Sequence, residues 1–331
     1  MQTERDTEMN NTRSPMPFGS KPPLDVLVMG SLFVELLPEI PGQSLVEMQR
    51  LIPTASGAAA NFARALAALG VRVGMLTRVG DDQLGQWLRR QLDQSGIDAH
   101  GVVSVAGCLT PVSFASADLL GGKHFTFYRF PDYSDPMGDL SPTSLDARDL
   151  QRARLFDFTE AVIRQSNVRV AALQAAEWSR QAGNDVVYAV NYRAQSWTLP
   201  TDQMIVLQRE ALAAADVGLM NQEEYDLIFA GDDEAAAACG CHTLVVTAGE
   251  CGGWILHDGR RHTFNAPAVE VQYDVGAGDS FHAGYVAAYL EGQPPEEAAR
   301  FAAACAARKI SQPACAPPPN RAEVQELLAR G

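Results

Sequence analysis

Positive charge is scarce in this chain. Its 26 lysines and arginines face 40 aspartates and glutamates, a net charge of −14 over 331 residues. Nucleic acid and anionic membranes repel such a surface, so neither is an expected partner, although a local basic group can still hold a small anion. No run of about 18 apolar residues is present to cross a bilayer. The first 22 residues carry Met, Arg, Glu, Asn and Pro but no apolar stretch of the signal-peptide kind. Residues 1–23 therefore read as a disordered arm and the protein as cytoplasmic. Cysteines number six and are scattered; Cys239-Gly240-Cys241 is too tight for a zinc pair, and no second pair follows it. The six histidines, His282 included, have neither triad nor metal spacing and read as structural. No Gly-x-Gly-x-x-Gly follows the first strand, where Gly30 leads into Ser31-Leu32-Phe33, which argues against a nicotinamide-dependent dehydrogenase.

What is present is βα alternation. Asp25–Gly30 is a short apolar run ending in glycine, the pattern of a buried strand. Residues 57–69 read as an Ala-rich helix closed by Gly70, 71–79 as a strand, and 82–94 as a helix with Leu84, Trp87, Leu88 and Leu92 on one stripe. Later strands fall at 185–190, 216–220 and 243–247, with helices from Ala277, Pro295 and Arg321. Such alternation implies a doubly wound α/β fold, a mostly parallel sheet with helices on both faces. Two regions interrupt it. Residues 31–56 have three prolines and no helical period; residues 101–129 read as short strands around a Gly121-Gly122 hairpin turn. The expectation is one domain over 24–331 carrying a small β-rich lid built from these two regions.

The segment Asp274-Val275-Gly276-Ala277-Gly278-Asp279-Ser280-Phe281 carries the chemistry. Two glycines open a helix whose apolar positions are Phe281, Tyr285, Ala288 and Tyr289. The free N–H groups and positive dipole end of that helix favour an anion. An acid in the first turn, beside a bound phosphate, is repelled unless it has work to do. Taking a proton from an attacking hydroxyl is such work, so the pattern points to phosphoryl transfer to an alcohol.

Four further segments stand in register with this one: Ser56-Gly57-Ala58-Ala59-Ala60-Asn61, the acidic turn Gly80–Gly85, Asn191-Tyr192-Arg193, and Asn221-Gln222-Glu223-Glu224. In this order they resemble the ribokinase-like (PfkB) carbohydrate kinases, over about residues 24–330. The resemblance implies ATP and Mg²⁺ as cofactors and allows a monovalent cation. It implies that Asp279 is the base and that Gly276, Ala277 and Gly278 form the anion hole. It implies that Asn221 and Glu224 hold Mg²⁺ and phosphate through water, and that Thr247, Gly249 and Gly252 lie at the nucleotide. Gly57, Asn61 and Glu35 would meet the sugar. Exposed lid edges suggest a homodimer through the lid.

Within the family, Phe127-Tyr128-Arg129 and Asn191-Tyr192-Arg193 with Trp197 are similar to segments of 2-keto-3-deoxygluconate kinases. This implies a sugar acid, its carboxylate gripped by Arg129 and Arg193, with Tyr128 beside it. Fructokinases and 5-dehydro-2-deoxygluconate kinases share the Asn-Tyr-Arg segment and stand as alternatives. So does a non-catalytic sugar or nucleotide binder, because the chain departs from the family pattern at Tyr273, Ala189, Ser56 and Ala303.

Overall fold

The computed structural model describes residues 24–40, 42–117, 123–128, 135–273, 275–313 and 316–330; for Ala117, Lys123, His124, Phe127, Tyr128 and Arg330 it describes the backbone alone. Strand β1 (Val26–Met29) lies inside a nine-stranded sheet, two strands from one edge. On one side lie β4 (Val73–Gly80) and β5 (Asp98–Val105), both parallel to it. On the other run β8 (Leu155–Thr159), β9 (Asp185–Ala189), β10 (Val217–Asn221) and β11 (Thr243–Thr247), also parallel, and then the antiparallel β12 (Gly253–His257) and β13 (Arg260–Phe264). Every residue of β1 is buried, and alternate side chains serve two cores: Val26 and Val28 one face, Leu27 and Met29 the other. That is why the strand reads as an unbroken apolar run.

Helices α1 (Ala58–Ala68), α8 (Ala277–Leu290), α9 (Pro295–Ile310) and α10 (Arg321–Arg330) build the first core, with α2 (Gln83–Gln94) beside β5. The second holds α4 (Ser166–Gln181), α5 (Thr201–Ala213) and α6 (Gln222–Phe229), with the short α3 (Ala147–Gln151) and α7 (Asp233–Ala237). Helices on both faces of a mostly parallel sheet bear out the expected architecture.

A separate four-stranded sheet has the order β3-β2-β6-β7, from β2 (Phe33–Pro38), β3 (Leu51–Ser56), β6 (Val112–Ala117) and β7 (Lys123–Tyr128). The pairing is antiparallel except between β2 and β6. Both lid regions read from the sequence meet here, with one correction: Gly101–Val105 completes β5 at the edge of the main sheet. Alternating polarity in that stretch gave the impression of a flap, but an edge strand with one solvent face alternates in the same way. A second correction concerns Leu84, which is 39% exposed; Leu88 and Leu92 alone of that stripe are fully buried.

Candidate active site

The C-terminal ends of the parallel strands and the N-termini of α1 and α8 converge on one edge, where open α/β sheets place their ligands. Gly57 begins the approach. Its φ of 116° is closed to most side chains, and a Cβ there would stand 2.4 Å from the Ser31 carbonyl oxygen. Glycine thus lets the lid strand β3 turn into α1 against the end of β1. One turn in, Asn61 donates from Nδ2 to Oδ2 of Asp279 at 3.0 Å, linking residues 218 apart in sequence. Had Asn61 served only its own helix, it would have bonded locally.

Asp279 lies in the first turn of α8, whose N-cap is Gly276 at φ 84°. In front of Gly278, the space a Cβ would take has no described atom outside its own turn within 4 Å, which leaves room for an anion at the helix N-terminus. The Lys309 side chain passes Gly276, its Cε 3.5 Å from where a Cβ would stand. Asp279 keeps part of its surface open. Burial pushes its carboxyl above the usual range, and the Asn61 hydrogen bond, the Arg193 guanidinium and the His282 ring pull it back. A base of that kind holds its proton more readily than a free aspartate, which suits proton abstraction nearer neutral pH.

Glu35 faces the same space from β2. It is 9% exposed and accepts from Ser56 Oγ at 3.1 Å and Ser113 Oγ at 3.4 Å. Burial raises its carboxyl, and the charge of Asp279 adds to the rise. From the main sheet, Asn191 takes a left-handed φ of 38°, strained for a non-glycine, and so turns the chain sharply after β9. The following amide, Tyr192 N–H, donates to Glu224 Oε1 at 2.6 Å. Arg193 is exposed, donates to the Tyr192 carbonyl at 3.0 Å, and lowers three acids electrostatically: Asp279, Glu224 and Glu160.

Asn221 and Glu224 form a reciprocal cap at the start of α6. Asn221 Oδ1 accepts from Glu224 N–H at 2.8 Å, and Glu224 Oε2 accepts from Asn221 N–H at 2.8 Å. Glu224 is 6% exposed with both oxygens engaged by backbone. Among the described residues, no cluster of three His, Cys, Asp or Glu side chains is arranged to hold a metal ion directly. Thr247 pairs with Asn221 in the sheet, so the Gly249–Cys251 turn after β11 lies next to the cap. Gly252 has a packing reason of its own: a Cβ would meet the Phe264 carbonyl oxygen at 2.1 Å. Phe264 in turn stacks on Phe281 of α8 at 5.7 Å, joining this loop to the glycine turn.

The structure thus brings together Glu35, Gly57, Asn61, Arg193, Asn221, Glu224, Thr247, Gly249, Gly252 and Gly276–Asp279. Arg129 and the Tyr128 side chain lie outside the described residues, as does Asp274. Sequence reasoning missed Glu160 at the end of β8. Its carboxyl is 3% exposed, accepts from Trp197 Nε1, lies 3.4 Å from Arg164, and is raised by burial to about 7. The available signal was weak: Leu155, Phe156 and Phe158 alternate with Asp157 and Thr159 before the acid. His282, read from the sequence as structural, is buried and paired with Asp157.

A family model for the pfkB family carbohydrate kinases matches residues 24–322. The chain belongs to this family. As a carbohydrate kinase it has curated relatives of nearly its own length. The 5-dehydro-2-deoxygluconokinase of Geobacillus kaustophilus (strain HTA426) is 28% identical over 329 residues, covering 95% of this chain and 96% of the relative. A probable fructokinase-4 of Arabidopsis thaliana is 28% identical over 319 residues, covering 92% and 96%. Among solved structures, a PfkB protein from Polaromonas sp. JS666 superposes with a TM-score of 0.80 at 25% identity, covering 91% of this chain and 99% of that one. An E. coli structure in complex with ATP and Mg²⁺ gives 0.82 at 22% identity, covering 93% and 100%. The described residues contain no helix long and apolar enough to cross a membrane.

Proposed function

We propose that this kinase transfers the γ-phosphoryl group of ATP to a hydroxyl of a deoxygluconate-type sugar acid. The single observation that carries the reading is the Asn61–Asp279 hydrogen bond at the glycine turn of α8, with the Arg193 charge close enough to act on Asp279. The sugar binds between the four-stranded sheet and the main body, against Asn61, Glu35 and Arg193. Its primary hydroxyl faces Asp279, which takes the proton as oxygen attacks phosphorus. The amides at Gly276–Gly278 receive the equatorial oxygens of the moving group as their charge rises.

The open turn fits a triphosphate, and bound ATP supplies the phosphoryl group. Glu224 and Asn221 would hold Mg²⁺ through water, because the carboxylate oxygens already accept backbone N–H groups and Mg²⁺ keeps much of its hydration shell. Thr247, Gly249 and Gly252 would line the nucleotide.

Arg193 favours an acid substrate: a guanidinium binds a carboxylate through two parallel hydrogen bonds. Within that class, 5-dehydro-2-deoxygluconate and 2-keto-3-deoxygluconate lead, the first supported by the name of the Geobacillus relative. A second reading, a neutral ketohexose, draws on the fructokinase relative of equal identity. The test is ADP production over a panel of both sugar acids, fructose, ribose and nucleosides. The expected result is a kcat/KM at least about tenfold higher for a sugar acid, matching one charge-assisted hydrogen bond. Turnover of neutral sugars alone would defeat the acid reading, and binding without turnover would make the protein a sensor.

A further inference from the structure

Behind the base lies a buried pair that the proposed chemistry does not use. Asp157, in the middle of β8, is fully buried, and its Oδ2 lies 2.7 Å from Nε2 of His282 on α8. Its Oδ1 has no hydrogen-bond partner among the described residues, nor does the nearby Thr159 Oγ1. Stability alone does not account for this arrangement. The strand neighbours in register with Asp157 are Val28 and Val187, both buried in the same core. A buried polar pair with an orphaned oxygen stabilises no better than a well-packed apolar side chain in its place.

The location suggests another use. His282 follows Asp279 by three residues, on the same face of α8. Its ring stacks on Phe62 of α1, centroids 3.8 Å apart and planes 16° from parallel. Phe62 is the residue after Asn61, and Asn61 bonds Asp279. The two helices therefore touch through two adjacent contacts, one polar at the site and one aromatic beneath it, and the aromatic one is tied to the central sheet.

We propose that Asp157 and His282 are positioning residues for phosphoryl transfer: the pair fixes the first turn of α8 on β8 and, through Phe62, on α1, so that Asp279 meets the acceptor hydroxyl in a reactive geometry. The proposal rests on Asp279 as the base. Among the described residues, the groups that bear on the carboxylate are Asn61 from α1, Glu35 from β2, Arg193 from the loop after β9, and His282 from α8 itself. His282 faces Asp157 from β8 and Asp279 from its own helix, while α1 presents only the Phe62 ring. Of these, His282 draws the Asp279 carboxyl downward, so removing it leaves that carboxyl higher.

The test compares His282→Gln, Asp157→Asn and Asp279→Asn on the substrate found in the panel, over a range of pH. Glutamine can still bond Asp157 but loses the ring stack. The expected result is a kcat lower by about 10- to 10²-fold, the scale of a small misplacement, with KM for sugar and ATP nearly unchanged. The acid limb of kcat/KM should move to higher pH. Asp157→Asn should act in the same direction and decides the matter alone if His282→Gln does not fold. A wild-type kcat and an unmoved acid limb in these variants, with Asp279→Asn inactive, would overturn the positioning role while leaving the base in place. Wild-type turnover by Asp279→Asn would overturn the base and the positioning role together.

Discussion

Two acids at this site look alike in the sequence and differ in the fold. Asp279 and Glu224 both stand in the first turn of a helix that follows a strand or loop at the sheet's carboxyl edge, and burial raises both. Each oxygen of Glu224 accepts a backbone N–H, one from Asn221 and one from Tyr192. Among the described residues, Asp279 has one side-chain bond, from Asn61, and keeps part of its surface open. A carboxylate that accepts a backbone N–H on each oxygen is a structural clamp: it is fixed in place, and the lone pairs left over can reach only bound water. A carboxylate with a spare oxygen facing space can accept a proton. Position in a motif does not separate the two; the tally of hydrogen bonds does.

The largest effect expected from breaking this contrast is in rate. Asp279→Asn should lower kcat by about 10²–10⁴, the range for a general base, and leave the melting temperature near that of the wild type. Glu224→Gln should do the reverse in stability. Replacing one of its two acceptor oxygens by an NH2 group, and losing the charge on the other, is expected to cost about 1–3 kcal/mol, read by urea denaturation. If Glu224→Gln unfolds like the wild type, the clamp description is wrong.

Arg193 sharpens the comparison from the substrate side. Arg193→Ala should raise KM for a sugar acid by about 10- to 100-fold, the worth of a charge-assisted pair, and change KM for fructose little. An equal effect on both sugars would place the guanidinium outside the carboxylate site.

How much of this was legible depends on the kind of signal. Buried parallel strands such as β1 and the glycine-opened helix α8 are written in local pattern, apolar runs and turn residues. Strand β8 was not found, because Asp157 and Thr159 break its apolar run at positions that face inward. The same break concealed Glu160 and the partner of His282. The Asn61–Asp279 contact joins residues 218 apart, and the resemblance alone, not spacing, put both at one site. Gly252 was read as a nucleotide contact, yet its close approach to Phe264 gives it a packing reason that no motif states.

Smaller effects lie at the margins of the site. The Glu160 carboxyl, raised from 4.5 to about 7, binds its proton more tightly when folded. Its contribution to stability is therefore greatest below about pH 4.5 and falls as pH rises through 7, by up to ~3 kcal/mol. Glu160→Gln should flatten that slope in denaturation measured between pH 5 and 8; an unchanged slope would remove Glu160 as its source. Smallest is the effect of association. The four-stranded sheet has open edges at β3 and β7 and exposes Phe125 at 41%, features that suit pairing between lids. Sedimentation velocity at micromolar concentration should find a dimer, and a strict monomer would refute it.

The central claim concerns reach: one carboxylate, a hydroxyl and a turn of free amides must meet. A crystal structure with the cognate sugar and a non-hydrolysable ATP analogue measures it directly. The account predicts the accepting hydroxyl within about 2.6–3.2 Å of an Asp279 oxygen and the γ-phosphate on the Gly276–Gly278 amides. A hydroxyl bound out of reach of Asp279, with the phosphate elsewhere, would contradict it.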